Sequence, residues 1–179
     1  MLKPIAFEND HLLIHPFRSE DLQKYDQLVA DIYTILSDDR TLKYLPAKRI
    51  NNLKEAETFL QTMILGSHSG RNHIHFIHDK KLDKVIGLID IISPEMAREF
   101  YNIKAYPYFI EFYLSSSATG CYIMTEILPA VVDAILNQGI ESIGAVVNRK
   151  NIAAKRVLEK ANFTYKARFD ALQDLYETA

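Results

Sequence analysis

Two hydrophobic periods alternate along the chain. Residues 11–17 (HLLIHPF) alternate as an edge or antiparallel strand does. Residues 18–39 then switch to helical spacing, with Leu22, Tyr25, Leu28, Val29, Ile32 and Leu36 on one stripe, Ser19 as N-cap and Glu20 and Asp21 in the first turn. A second helix is predicted over 51–66, opened by the Asn52/Glu55 capping pair and ended by Gly66. Residues 72–79 (NHIHFIHD) and 84–92 (KVIGLIDII) read as a hairpin joined by a polar turn. A further strand is predicted at 107–115 (PYFIEFYLS), then a helix to Asn137, a strand over 142–148, a helix over 151–161 and a closing strand over 163–169. This order predicts one α/β domain, residues 1–179, whose sheet mixes hairpins with helical crossovers. Pro129 falls inside the predicted third helix, where it cannot donate to the Thr125 carbonyl, so a kink or a local packing role is expected.

Composition narrows the class without changing that picture. At 179 residues, 48% hydrophobic and 25% charged, the chain matches an ordinary soluble globular domain. A net charge of −2 gives no support for nucleic-acid binding. The one cysteine, Cys121, excludes an internal disulfide framework. No segment is apolar for long enough to span a membrane, and the first ten residues lack a signal-peptide core, so a cytoplasmic location is expected.

Two stretches carry candidate chemistry. Between the strand at 107–115 and the following helix lies a small, soft loop, SSSATG (115–120), in a chain with only six glycines. A strand-to-helix turn leaves the first helical N–H groups unpaired and attracts anions, phosphate above all; equally, any such turn favours Gly, Ser and Thr. In the strand itself, alternation sets Phe109, Glu111 and Tyr113 on one face and Ile110, Phe112 and Leu114 on the other. A carboxylate among so many apolar residues is either functional or paired, with Arg18 or Arg98 as candidate partners. His73, His75 and His78 share a strand, but only the first two share a face, so a solvated strand face is expected there and no metal site.

The motifs in their order resemble the GNAT superfamily of N-acetyltransferases, in the branch that includes ribosomal-protein N-terminal acetyltransferases. HLLIHPFRSEDLQKY is similar to that branch's RLxLRPFxxED opening, VIGLIDI to its central strand, and FIEFYLSSSATGCYIMTE to its strand, loop and helix start. NRKNIAAKRVLEKANF resembles its closing NxxNxxSxRVLEKxGF helix. The resemblance implies a mixed, splayed sheet flanked by helices, open near Leu114–Ser115. It implies acetyl-CoA as co-substrate, held by Leu114, Ser115, Ser117, Gly120, Cys121, Tyr122, Thr125, Asn151 and Lys155, with an amine as the second partner. In that frame Ser117 replaces Arg or Gln and Tyr122 replaces Gly or Ala.

Glu111 matches the glutamate of the branch's AExGYWL strand. Attack of an amine on a thioester needs the amine neutral, which gives Glu111 a role as catalytic base, with burial raising its pKa. The closing helix lacks both hydroxyls that relatives use toward the departing thiolate, since Ala154 and Leu158 stand there; Tyr113, Tyr122 and Tyr165 are the available substitutes. Residues 93–107, between two strands, lie where relatives shape the acceptor site. Two functions stand: an N-acetyltransferase acting on a primary amine by direct attack in a ternary complex, or a relative that binds acyl-CoA or a partner without efficient turnover. A monomer or a homodimer fits either.

Overall fold

The computed structural model describes residues 2–178. One eight-stranded sheet organises them: β1 (Phe7–Glu8), β2 (Leu12–Pro16), β3 (Asn72–Asp79), β4 (Lys84–Ile92), β5 (Tyr108–Leu114), β6 (Ile143–Asn148), β7 (Phe163–Arg168) and β8 (Gln173–Thr178), in the spatial order β1-β2-β3-β4-β5-β6-β8-β7. Every neighbouring pair is antiparallel except β5 and β6, which run parallel. Helices α1 (Tyr25–Ser37) and α2 (Leu53–His68) cover one face, burying Ile32, Ile35 and Leu60 against Phe76 and Leu88. Helices α4 (Ile123–Leu136) and α5 (Ile152–Lys160) cover the other, where Ile127, Val131 and Leu158 meet Ile89, Ile110 and Ala145. A short helix, α3 (Pro94–Phe100), follows β4. No helix among the described residues is long and apolar enough to cross a membrane.

The sequence periods locate most of these elements, and the differences have local causes. The first helix opens as a 3-10 turn over Ser19–Lys24, capped at Arg18 rather than Ser19, because the Asp21 carboxylate accepts the Arg18 N–H at 2.7 Å. Leu22, counted on the apolar stripe, lies in that turn and is exposed. At α2 the Asn52 side chain accepts from Glu55 N–H as expected. Gly66 does not end this helix, which runs on to His68; Gly70, with φ of 71°, follows it. Gly66 is instead a point of close approach, where a Cβ would meet Asn72 Oδ1 at 1.9 Å. Helix α4 is continuous across Pro129. The histidine face is covered rather than solvated: His73 and His75 are buried, and His75 donates from Nδ1 to the His73 carbonyl while accepting the Ile5 N–H. Both its ring nitrogens are thereby used by the neutral tautomer, and burial pushes its pKa down to about 4.

The feature that positions the candidate site is the break between β5 and β6. They pair only at Tyr108↔Ile143 and Phe109↔Gly144, then part. The sheet therefore splays as expected, but from Phe109 rather than Leu114. Gly144 sits against the Phe109 ring, and a Cβ there would lie 2.7 Å from that ring. Phe109 is fully buried and has nowhere to turn. Gly144→Ala should therefore lower unfolding free energy by roughly 1–3 kcal/mol in denaturant titration; an unchanged midpoint would mean that the ring yields.

Candidate active site

A cleft of about 250 Å³ occupies the gap where β5 and β6 separate. Glu111 on β5, Asn148 on β6 and Asn151 at the start of α5 line it, together with Tyr44 and Lys48 from the segment between α1 and α2. Tyr101 and Phe169 close one side. Tyr101 packs edge-on against Phe109 at 4.8 Å and against Phe169 at 5.2 Å, so an aromatic stack fills the wedge between the parted strands. Tyr101 belongs to the 93–107 insertion, which thus reaches the cleft as expected.

Glu111 is half-buried and paired. Its Oε2 accepts Lys48 Nζ at 2.8 Å and the Tyr113 hydroxyl at 2.9 Å. The pairing expected with Arg18 or Arg98 is not formed: Arg18 binds Asp21, and Arg98 stacks over the Tyr106 ring. Directly across the β4–β5 ladder lies Asp90, buried and bonded to Asn72 Nδ2 at 2.9 Å. Burial, with the Glu111 carboxylate adding to it, pushes the Asp90 pKa up to about 6. Burial and the same two carboxylates hold the Tyr101 phenol above its ordinary value. The sequence carried a signal for Asp90, a lone carboxylate inside the apolar run VIGLIDII, that strand alternation alone did not single out.

The phosphate-loop candidates lie at one end of this cleft rather than in it. After β5, Ser115 N–H bonds the Ile86 carbonyl, and its own carbonyl accepts from Ala118 and Thr119, winding residues 115–119 into a turn. Ser115 and Ser117 exchange a hydroxyl hydrogen bond at 2.9 Å. Gly120 has φ of 85°, with open space where a Cβ would stand. Tyr122, the N-cap of α4, takes the left-handed conformation with φ of 58°. That is the backbone a glycine normally supplies. Its side chain is 76% exposed. No side chain caps α4, and among the described residues the N–H groups of Gly120, Tyr122, Ile123, Met124 and Thr125 make no backbone bond. Five unpaired donors at the positive end of a 14-residue helix suit a diphosphate. Cys121 is exposed in the same turn.

Asn151 caps α5 through its side-chain oxygen, bonded to Ala154 N–H at 3.2 Å. Its amide nitrogen is left for the cleft. Lys155 follows one helical turn on, and Ala154 and Leu158 line the cleft without a hydroxyl. Of the substitutes, Tyr113 is tied to Glu111, while Tyr122 and Tyr165 are exposed and do not line the cleft. The hydroxyls that do are Tyr44, which donates to the Lys150 carbonyl at 3.0 Å, and Tyr101.

The family model described as an acetyltransferase (GNAT) domain matches residues 11–164, and the chain belongs to that family, which uses acetyl-CoA as co-substrate. No curated protein matches the chain. Among solved structures it is similar to the ribosomal-protein-S5-alanine acetyltransferase of Vibrio fischeri, at 17% identity and a TM-score of 0.68 over 97% of this chain and 96% of that one. It is also similar to RimL, a ribosomal L7/L12 alpha-N-protein acetyltransferase solved with coenzyme A, at 17% identity and a TM-score of 0.71 over 97% of each chain. The microcin C7 self-immunity acetyltransferase MccE, solved with acetyl-CoA and AMP, gives 16% and 0.67 over 96% of this chain and 93% of that one. The mixed, splayed sheet is the fold these structures share.

Asp90 generates a test by pH. Its folded pKa, about 6, lies above the value of 3.8 for a free aspartate, so its contribution to stability is complete below about pH 4 and lost as pH rises through 6. His75 slopes the other way over an overlapping window, since its folded pKa of about 4 lies below 6.5. The difference between parent and Asp90→Asn isolates the aspartate: the variant should gain on the parent by roughly 1–3 kcal/mol between pH 4 and 7 in denaturant unfolding. A difference constant with pH would contradict the buried, raised carboxyl.

Proposed function

We propose that this GNAT acetyltransferase moves the acetyl group of acetyl-CoA to a primary amine, on a protein N-terminus or a small molecule, by direct attack in a ternary complex. The observation that carries this reading is the meeting of three features: a helix end with unpaired donors, an open strand pair, and a carboxylate facing the gap. On this reading the donors at 120–125 take the pyrophosphate, with Ser115, Ser117 and the backbone around Leu114 beside it and Lys155 supplying a cation. The pantetheine arm lies as an extra strand against the free edges of β5 and β6, meeting the Asn151 amide. The thioester then arrives beside Glu111, which accepts a proton from the incoming ammonium.

The roles of the remaining groups follow from position. Tyr113 and Lys48 hold the Glu111 carboxylate in place. With Ala154 and Leu158 offering no proton, the departing thiolate, whose parent thiol titrates near 8.5, leaves largely unaided or takes a proton from Tyr44 or Tyr101. That absence of a hydroxyl on α5 is also what favours the second reading, a member that binds acyl-CoA without efficient turnover.

Two measurements separate these. Gly120→Glu should abolish the thermal stabilisation that acetyl-CoA gives, because its carboxylate enters an anion site that has room for the side chain. Gly139→Glu, at an equally open glycine with the same φ of 85° beyond the end of α4, controls for backbone strain and should retain the stabilisation. Glu111→Gln should reduce kcat by on the order of 10²-fold while changing acetyl-CoA affinity less than a few-fold. Equal losses in both would make Glu111 structural, and binding with no thiol release across amine classes would favour the second reading.

A further inference from the structure

The segment between α1 and α2 places a primary amine on the carboxylate that faces the cleft. Lys48 Nζ donates to Glu111 Oε2 at 2.8 Å, and both residues line the gap between β5 and β6. This is the relation an external acceptor takes to its base in the reading above, on which the present inference rests. The Lys48 side chain, 45% exposed, is carried on the 3-10 turn Pro46–Lys48. Other lysines with ion-pair partners, Lys24, Lys80 and Lys166, bind Asp83, Glu8 and Glu177 and do not line the cleft.

We propose that Lys48 is an internal acceptor, acetylated on Nζ in cis when acetyl-CoA is bound and no external amine has displaced it. Glu111 takes one proton from the Lys48 ammonium, and the freed lone pair attacks the thioester carbonyl carbon. The C–S bond breaks with its electron pair on sulfur, and the nitrogen loses a second proton to the thiolate. The products are N-acetyl-lysine and free CoA thiol, with Glu111 returning its proton to solvent; no oxidant or reductant is consumed. The amide so formed is neutral, so Glu111 loses its cation and faces Asp90 across the ladder without it. Lys48 thus marks the amine subsite, and its modification changes the charge of that subsite.

The test incubates the full chain with acetyl-CoA alone and follows intact mass and peptide maps. One acetyl group should appear on Lys48, at a rate unchanged by diluting the protein, and Lys48→Arg should abolish it. Glu111→Gln should slow it by on the order of 10²-fold, and Gly120→Glu should slow it in step with lost acetyl-CoA binding. Peptide mapping of the unaltered chain needs no variant to fold. An unmodified Lys48 in a protein that binds acetyl-CoA and acetylates external amines overturns this inference alone. Equal modification of Lys48 in the Glu111→Gln chain, or in heat-denatured protein, overturns it as ordinary chemical acetylation. Absence of acetyl-CoA binding by calorimetry overturns both this inference and the acetyltransferase reading beneath it.

Discussion

Everything at this site depends on β5 and β6 pairing at two positions and no further. A parallel pair this short leaves backbone groups on both inner edges with no partner in each other, and such groups demand water or a ligand. Three local facts frame the point where the strands part. The Phe109 ring occupies the space a Gly144 side chain would take, Tyr101 and Phe169 stack outward from it as a wedge, and β6 satisfies its other edge on β8 over five residues. The wedge is aromatic and half-buried, so closing the gap would require expelling two aromatic rings from their contacts. The opening is therefore a packed feature of the fold, and an extended molecule with amide groups is the natural filler for it.

The segment linking α1 to α2 spans the mouth of that opening. Asp38 and Arg40 hold the Ser116 hydroxyl, Thr41 donates to the Leu114 carbonyl, Tyr44 to the Lys150 carbonyl, and Lys48 to Glu111. It therefore touches the phosphate-loop candidate, the strand edge, the start of α5 and the facing carboxylate at once. These bonds are partly or fully exposed, where water competes for the same groups. Leu42 and Ile50 anchor the segment in the core, while its contacts over the cleft are polar. The segment is thus fixed to the core at two apolar points and to the cleft by polar contacts alone.

How much of this was legible in the sequence follows from which forces were local. Strands and helices with strong periods, such as NHIHFIHD and KVIGLIDII, stand where their patterns put them, because burial on a sheet fixes them. Strand β8 was missed: its alternation, with Asp174, Tyr176 and Thr178 inward, is carried by polar residues, and its hairpin is set by the Asp170 side chain accepting from Leu172 and Gln173 N–H. The splay was implied by resemblance but placed five residues late, since the last pairing, Phe109↔Gly144, joins positions 35 apart in sequence. Glu111 and Asn151 were legible and line the cleft together. Lys48, Tyr44 and Asp90 were not, because only tertiary packing brings a loop lysine and a buried aspartate to the same carboxylate.

The charges around Glu111 explain why Lys48 and Asp90 belong to one description. Two carboxylates face each other across a ladder position, one buried and one at the edge of the cleft. Both cannot ionise cheaply, and the burden falls on the more buried, Asp90, whose pKa rises toward neutrality. On the cleft side Glu111 is paired with a cation, Lys48, at 2.8 Å. Any ammonium that replaces Lys48 preserves this balance, whereas an uncharged or anionic group in its place leaves Glu111 opposed only by Asp90. On the proposed reading, a positively charged amine suits this position before any contact with the rest of an acceptor. Tyr101 and Tyr113 reinforce it from the other side, since burial beside these carboxylates keeps both phenols protonated and able only to donate toward Glu111.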